Sequence, residues 1–194
     1  QRYADVFTSC TIPELPSLFH RVTEDKMKLE NLTMAEARLN DGQVLYALND
    51  LFIGQKTHVS ARYSLEYQRK TERQSSSGVI VSTGSGSTGW LTGIMVGAYG
   101  LVLGGQNEMI GKIGFPLDAN YLQFVVREPF PSKVTGVSIV RGTIDNSNPL
   151  KVISNMPENG VIFSDGIEND YLEFNAGAIA TIKPAERKVR LVKS

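Results

Sequence analysis

Cysteine is nearly absent. The 194-residue chain has one, Cys10, which excludes an internal disulfide and any cysteine-rich metal site and fits a reducing compartment. No cluster of His, Cys, Asp or Glu has metal-ligand spacing. Net charge is absent too: 20 basic side chains balance 20 acidic ones, leaving no long-range field to draw in nucleic acid or an anionic membrane surface. No apolar run approaches the roughly 20 residues of a membrane helix, and no signal-peptide apolar core opens the chain. The chain starts at Gln1 rather than a methionine and reads as a piece of something longer. No Gly-Lys-Ser/Thr occurs, so a triphosphatase phosphate loop is excluded. A chain of this length can bury about 70% of its unfolded surface, enough for a self-standing core.

Periodicity then marks out elements. Leu15, Leu18, Phe19 and Val22 share one helical face behind Pro13 and Pro16, so the spacing predicts a short helix over 14–23. Residues 26–39 fit neither period. Asp41-Gly42 predicts a hairpin from a strand ending near Leu39 to one through Val44, Tyr46 and Leu48. Alternation from Val59 to Gln68 predicts a half-buried strand, and Gly78–Val81 a short buried one. After a Gly/Ser-rich stretch, Trp90, Ile94 and Ala98 predict a helix of about three turns. Further strands are expected at 121–127, 134–144, 150–154, 161–164, 170–174, 178–182 and 187–192, separated by turn residues. The expected fold is mainly β: a two-layer β-sandwich, with one helix after the Gly-rich loop and one short N-terminal helix.

Gly84-Ser85-Gly86-Ser87-Thr88-Gly89 lies between a buried strand and a helix. Glycines there admit a ligand close to backbone N–H groups, and a helix N-terminus adds unpaired donors, suiting phosphate or hydroxyl groups. A dinucleotide fold would need a parallel strand ending in an acid about 20 residues on. Glu108 has that spacing, but Gly104-Gly105-Gln106-Asn107 before it reads as a turn, and the strands that follow lack intervening helices. The plain alternative is that Ser75-Ser76-Ser77 and the Gly/Ser run are solvated loops. The flanking apolar strand and Trp90 favour a site.

These residues resemble a known family. Ala47-Leu48-Asn49-Asp50-Leu51-Phe52-Ile53-Gly54 resembles the Asn-Glu/Asp motif of NAD kinases. Gly78 to Trp90 is similar to their second motif, usually Thr-Pro-Thr-Gly-Ser-Thr-Ala-Tyr. Asp165-Gly166 and Leu172 to Ala180 resemble the closing strands, and Leu15 to Val22 the helix linking the two family domains. Gly84, Gly89 and Trp90 replace proline, alanine and tyrosine, and Ser76-Ser77-Gly78 stands where Gly-Asp-Gly is usual. Together with Arg127-Glu128-Pro129, these departures resemble the mitochondrial-type branch.

The resemblance implies a division at 1–25, a linker helix from an N-terminal α/β domain, and 26–194, a β-rich NAD-binding C-terminal domain. It implies transfer of a phosphoryl group from ATP, with Mg2+, to the 2′-hydroxyl of the adenosine ribose of NAD. Asn49 would bond the adenine or ribose and Asp50 would accept from ribose hydroxyls; otherwise the pair is a polar turn. Ser87, Thr88 and Gly89 would offer hydroxyls and helix-opening donors, with an ordinary N-cap as the plainer role. Trp90 would stack on adenine or serve as a core anchor. Arg127 would be a phosphate contact. Asp165 reads as the first residue of a turn, and His20 and His58 as surface residues.

The Gly-Gly-Asp-Gly segment that carries the proton-accepting aspartate in the family is absent, so no catalytic residue is expected in this chain and no kinase activity from it alone. NAD, the other domain and a homo-oligomer are the expected partners, with no nucleic acid and no membrane. Cytoplasm is the expected compartment, or mitochondrial matrix for a eukaryotic source. Two alternatives remain: a sugar or lipid kinase domain of the same superfamily, and a non-catalytic oligomerisation domain that presents the tyrosine-rich strand 59–68.

Overall fold

The structure is a computed structural model that describes residues 12–24, 28–104 and 113–193. Cys10, Gly105-Gln106-Asn107 and Glu108 lie outside the described residues. A 3-10 turn, Ile12–Glu14, leads into helix α1, Leu15–Thr23, whose Leu15, Phe19 and Val22 are exposed. Twelve strands follow: β1 Lys28–Leu39, β2 Val44–Ala47, β3 Asp50–Gln55, β4 Ala61–Tyr67, β5 Lys70–Ser76, β6 Val79–Ser82, β7 Leu122–Val126, β8 Arg141–Ile144, β9 Leu150–Ser154, β10 Gly160–Ser164, β11 Tyr171–Glu173 and β12 Ile179–Lys193. Helix α2, Trp90–Leu103, sits between β6 and β7 behind a 3-10 turn, Gly86–Thr88.

The strands form two six-stranded sheets, in the orders β2-β1-β12-β9-β4-β5 and β11-β10-β3-β6-β7-β8. Every pairing is antiparallel, which removes the parallel crossover that a dinucleotide fold requires. The inner faces meet in one dry core. Leu51, Ile53, Val79, Val81, Phe124 and Ile162 of the second sheet lie in one cluster with Ala37, Tyr63, Leu65, Val152 and Ile182 of the first. Such alternation, one residue in and the next out, is what a sheet packed on another sheet demands.

Several boundaries differ from the periodic reading, each for a physical reason. Residues 28–39 fit neither period because the register slips between Thr33 and Ala35, which pair Lys188 and Pro184. The slip also lets 178–182 and 187–192 run on as one strand past Pro184. Strand β5 was not expected: its turn is built from Gln68 (φ 48°) and Arg69 (φ 63°), positive-φ residues that carry no glycine signal. Its buried side is polar, with Gln74 and Ser76 both reaching the Tyr63 hydroxyl, at 3.3 and 2.5 Å. Of the tyrosines in strand 59–68, Tyr63 is fully buried, while Tyr67 is half-buried and its hydroxyl donates to the Thr143 carbonyl.

The expected strand 134–144 keeps only 141–144. Before it, the Glu72 carboxylate accepts from the backbone N–H groups of Ser138 and Ile139, from the Ser138 hydroxyl and from Gln74, replacing a ladder. Partial burial pushes Glu72 up, but those hydrogen bonds outweigh it and hold the carboxyl down at about 2.

Helix α2 lies on the outer face of the second sheet. It is apolar nearly all round, yet only Leu91 is buried, while Val96, Tyr99, Leu101 and Val102 are exposed. Counted from Gly86 to Leu103, this 18-residue stretch is long and apolar enough by length and composition to cross a membrane, which corrects the expectation that no apolar run approaches that length. One such helix is a weak indication, and this one begins in a turn seated in the sandwich.

Candidate functional site

The link between β2 and β3 carries Leu48 and Asn49, and Asp50 opens β3. The sheet partner of β3, β6, runs straight into the glycine loop, so the sheet brings both motifs to one end. Thr83 fastens them: its N–H donates to the Asn49 carbonyl at 2.9 Å, and its hydroxyl to the Leu48 carbonyl at 2.5 Å. The Ser85 hydroxyl donates to Asn49 Oδ1 at 2.9 Å. Gly86 packs so closely that an added Cβ would lie 2.1 Å from the Asn49 carbonyl oxygen. Only glycine fits there.

From the other side, Asp165 holds the same link. Its carboxylate accepts the backbone N–H groups of Leu48, Asn49 and Asp50 at 3.0, 2.7 and 3.2 Å. Burial, with the Asp165 charge added to it, pushes the Asp50 carboxyl up to about 6 from the ordinary 3.8. A carboxyl poised there is still mainly a carboxylate at pH 7 and accepts hydrogen bonds, which suits a hydroxyl-bearing ligand.

Ser87 does not take the expected role. It is fully buried, its hydroxyl donates to the Gly84 carbonyl at 2.7 Å, and it accepts the Phe115 N–H at 3.2 Å. Neither Ser87 nor Thr88 caps α2, whose N-cap is Gly89 without a side-chain bond. Thr88 and Gly89 are exposed at the helix opening. The polar loop residues that meet Asn49 are instead Thr83 and Ser85.

Trp90 is half-buried and serves as a wall. It stacks on Phe52 with ring centres 5.9 Å apart and planes 7° apart, and Phe52 stacks in turn on Phe163 at 4.8 Å. The Phe52 ring lies over Gly54 and Gly78; the latter, at φ 104°, would put a Cβ 2.7 Å from the ring. The Arg127 guanidinium sits 5.3 Å from the Trp90 ring centre, a cation–π contact that gives it a partner other than phosphate. These residues line an open cleft of about 480 Å³, with Ser77 and Glu128 on the wall and Lys56 and His58 at the rim.

Asn49 and Asp50 do not line that cleft. By the two-residue repeat of β3, Asp50 shares its outer face with Phe52, one step beyond the aromatic wall. The site therefore does not lie between the two β layers. That space is filled with apolar side chains. It lies on the outer face of the second sheet, against the glycine loop and the start of α2. Thr83, Ser85, Phe52, Phe163 and Asp165 were not assigned from sequence. Ser85 was visible inside the loop, and Asp165 beside its glycine, but neither has a local signal naming its partner.

No family model and no curated protein matches the sequence. Solved structures do match. One is yeast NADH kinase in complex with NADH, at a TM-score of 0.64 and 19% identity, over 94% of this chain and 49% of that one. The chain thus has an NAD kinase-like fold and spans about half the length of that enzyme.

Proposed function

We propose that this chain is the NAD-binding part of an NAD kinase-type enzyme, close to the mitochondrial-type branch. One observation carries the reading most: Asn49, Asp50 and the glycine loop are locked together by Thr83, Ser85 and the bare Gly86. The likeness in fold to a kinase solved with NADH supports it.

In this reading Asn49 and Asp50 receive the adenosine ribose. The Asp50 carboxyl hydrogen-bonds its hydroxyls and orients the 2′-hydroxyl, while Thr88 and the free N–H groups at the opening of α2 offer further donors. Trp90 supplies an apolar edge for the base, and the cleft leading to Ser77 takes the rest of the dinucleotide. Positioning is the contribution of this half, because phosphoryl transfer depends on alignment and charge neutralisation.

ATP with Mg2+ is the donor that the family likeness implies. The residues here do not fit the ion: the Asp165 carboxylate is engaged by three backbone N–H groups, and no group of three His, Cys, Asp or Glu among the described residues is placed to hold a metal. The donor site and the proton-accepting group then belong to an N-terminal domain, which would also cover the bare apolar face of α2. A homo-oligomer is part of the same reading, and light scattering tests it.

Calorimetric titration of the folded chain with NAD, NADH and NADP tests the proposal. Binding of one of these, abolished in Asp50→Ala, is expected; a folded chain that binds none, or prefers a sugar or diacylglycerol, overturns it. No NADP should form from NAD, ATP and magnesium with this chain alone.

A further inference from the structure

We propose that Asp165 is the positioning residue of this site, gathering the N–H groups of the Leu48–Asp50 link and thereby fixing where the Asn49 amide and the Asp50 carboxyl point. The proposal rests on the reading above for its ligand, but its geometry stands independently. The carboxylate comes from more than a hundred residues away in sequence and accepts three consecutive N–H groups, at 3.0, 2.7 and 3.2 Å. Leu48 and Asn49 sit in the link outside the strands, and Asp50 is the first residue of β3. Left unmatched, buried donors are costly.

The turn is shaped for this task. Asp165 has φ 54° and Gly166 φ 73°, and the Asp165 N–H donates to the Asp50 carbonyl at 2.9 Å. Left-handed backbone is unfavourable for most side chains, though aspartate tolerates it better than others. On the opposite side, Thr83 engages the carbonyls of Leu48 and Asn49. The link is gripped by its donors from β10's end and by its acceptors from the glycine loop. Only its side chains remain free to adapt, Asn49 toward Ser85 and Asp50 on the outer face.

The test compares Asp165→Ala and Asp165→Asn in the intact chain by NMR, following amide exchange at Leu48, Asn49 and Asp50, titration of the Asp50 carboxyl carbon, and affinity for NAD. In D165A, exchange should quicken at least about tenfold, the Asp50 midpoint should fall, and NAD should bind at least about tenfold more weakly. In D165N the amide oxygen can still accept from Asn49 and Asp50, but the NH2 group takes the place of Oδ2, the acceptor of the Leu48 N–H. Protection at Asn49 and Asp50 should stay within about threefold of the wild type and be lost at Leu48, NAD should bind more tightly than to D165A, and the Asp50 midpoint should fall because the neighbouring charge is gone.

Unchanged exchange and an unchanged Asp50 midpoint in D165A overturn the proposal, as does a D165N variant as impaired as D165A. Should D165A fail to fold, D165N decides alone: protection kept at Asn49 and Asp50 but lost at Leu48 supports the assignment, and unchanged protection at all three amides overturns it. A wild-type chain that binds no NAD refutes the functional reading, while exchange and titration still judge Asp165.

Discussion

The two faces of the second sheet are made from the same six strands and do different things. On the inner face, Leu51, Ile53, Val79, Val81 and Phe124 meet another sheet and are sealed from water. On the outer face, Phe52, Ile80, Val125 and Val161 are buried too, but the helix that covers them is itself half-buried at Trp90 and Ile94 and exposed beyond. The inner face needs only apolar bulk at every second position. The outer face also carries Asp50, buried Ser82, Arg127 and a glycine loop, features that cost stability unless a ligand or neighbour uses them. The proposed site lies on the less completely covered face, and the following experiments probe that division.

The largest effect is expected at the seam between strand and loop. Gly86→Ala drives a Cβ into the Asn49 backbone, which cannot yield as a flexible side chain would, and should cost about 3 kcal/mol or more in chemical denaturation. Wild-type stability in that variant would remove the close seating on which the site depends.

Next comes the contrast itself. Ile53→Ala, on the sealed face, should cost about 2–5 kcal/mol and leave affinity for NAD unchanged wherever the protein stays folded. Trp90→Ala, on the open face, should cost less, about 1–2 kcal/mol, and weaken NAD binding markedly. Denaturation paired with calorimetry reads both, and a reversed pattern breaks the comparison.

A pH series is subtler. Because the folded protein raises Asp50 from 3.8 to about 6, ionising it opposes folding. That penalty is absent below pH 3.8, grows as pH rises to about 6, and persists above. Asp50→Asn should therefore be more stable than wild type at pH 7, by about 1–2 kcal/mol once solvent screening is allowed for, with the gain vanishing near pH 4. Thermal melts at the two pH values measure it.

The smallest effect lies on the first sheet, as a control. Glu72 is held down at about 2, so its contribution is present above its ordinary 4.5 and is lost as pH falls through about 2. Glu72→Gln should quicken amide exchange at Ser138 and Ile139 at pH 7 and leave NAD affinity as it was.

Much of this was legible in the chain because the signals are local. The helix at Leu15–Thr23, the Asp41-Gly42 hairpin, the alternating strand at 61–67 and the helix after the glycine loop each follow from neighbouring residues. Strand β5 was not legible: its buried residues are Gln74 and Ser76, which look solvated until Tyr63 lies opposite. The half-covered state of α2 was hidden as well, since an apolar helix looks the same in sequence whatever packs against it.

By itself, the amino-acid order determined the kinds of element, their succession and the presence of a glycine-rich turn beside an Asn-Asp pair, since each depends on residues within a few positions. Tertiary structure alone decided which hydroxyl meets Asn49, that Ser87 is buried in the scaffold, and that a carboxylate from residue 165 grips the start of β3. Those outcomes depend on which strands become neighbours across a sheet, a choice made by the packing of the whole core.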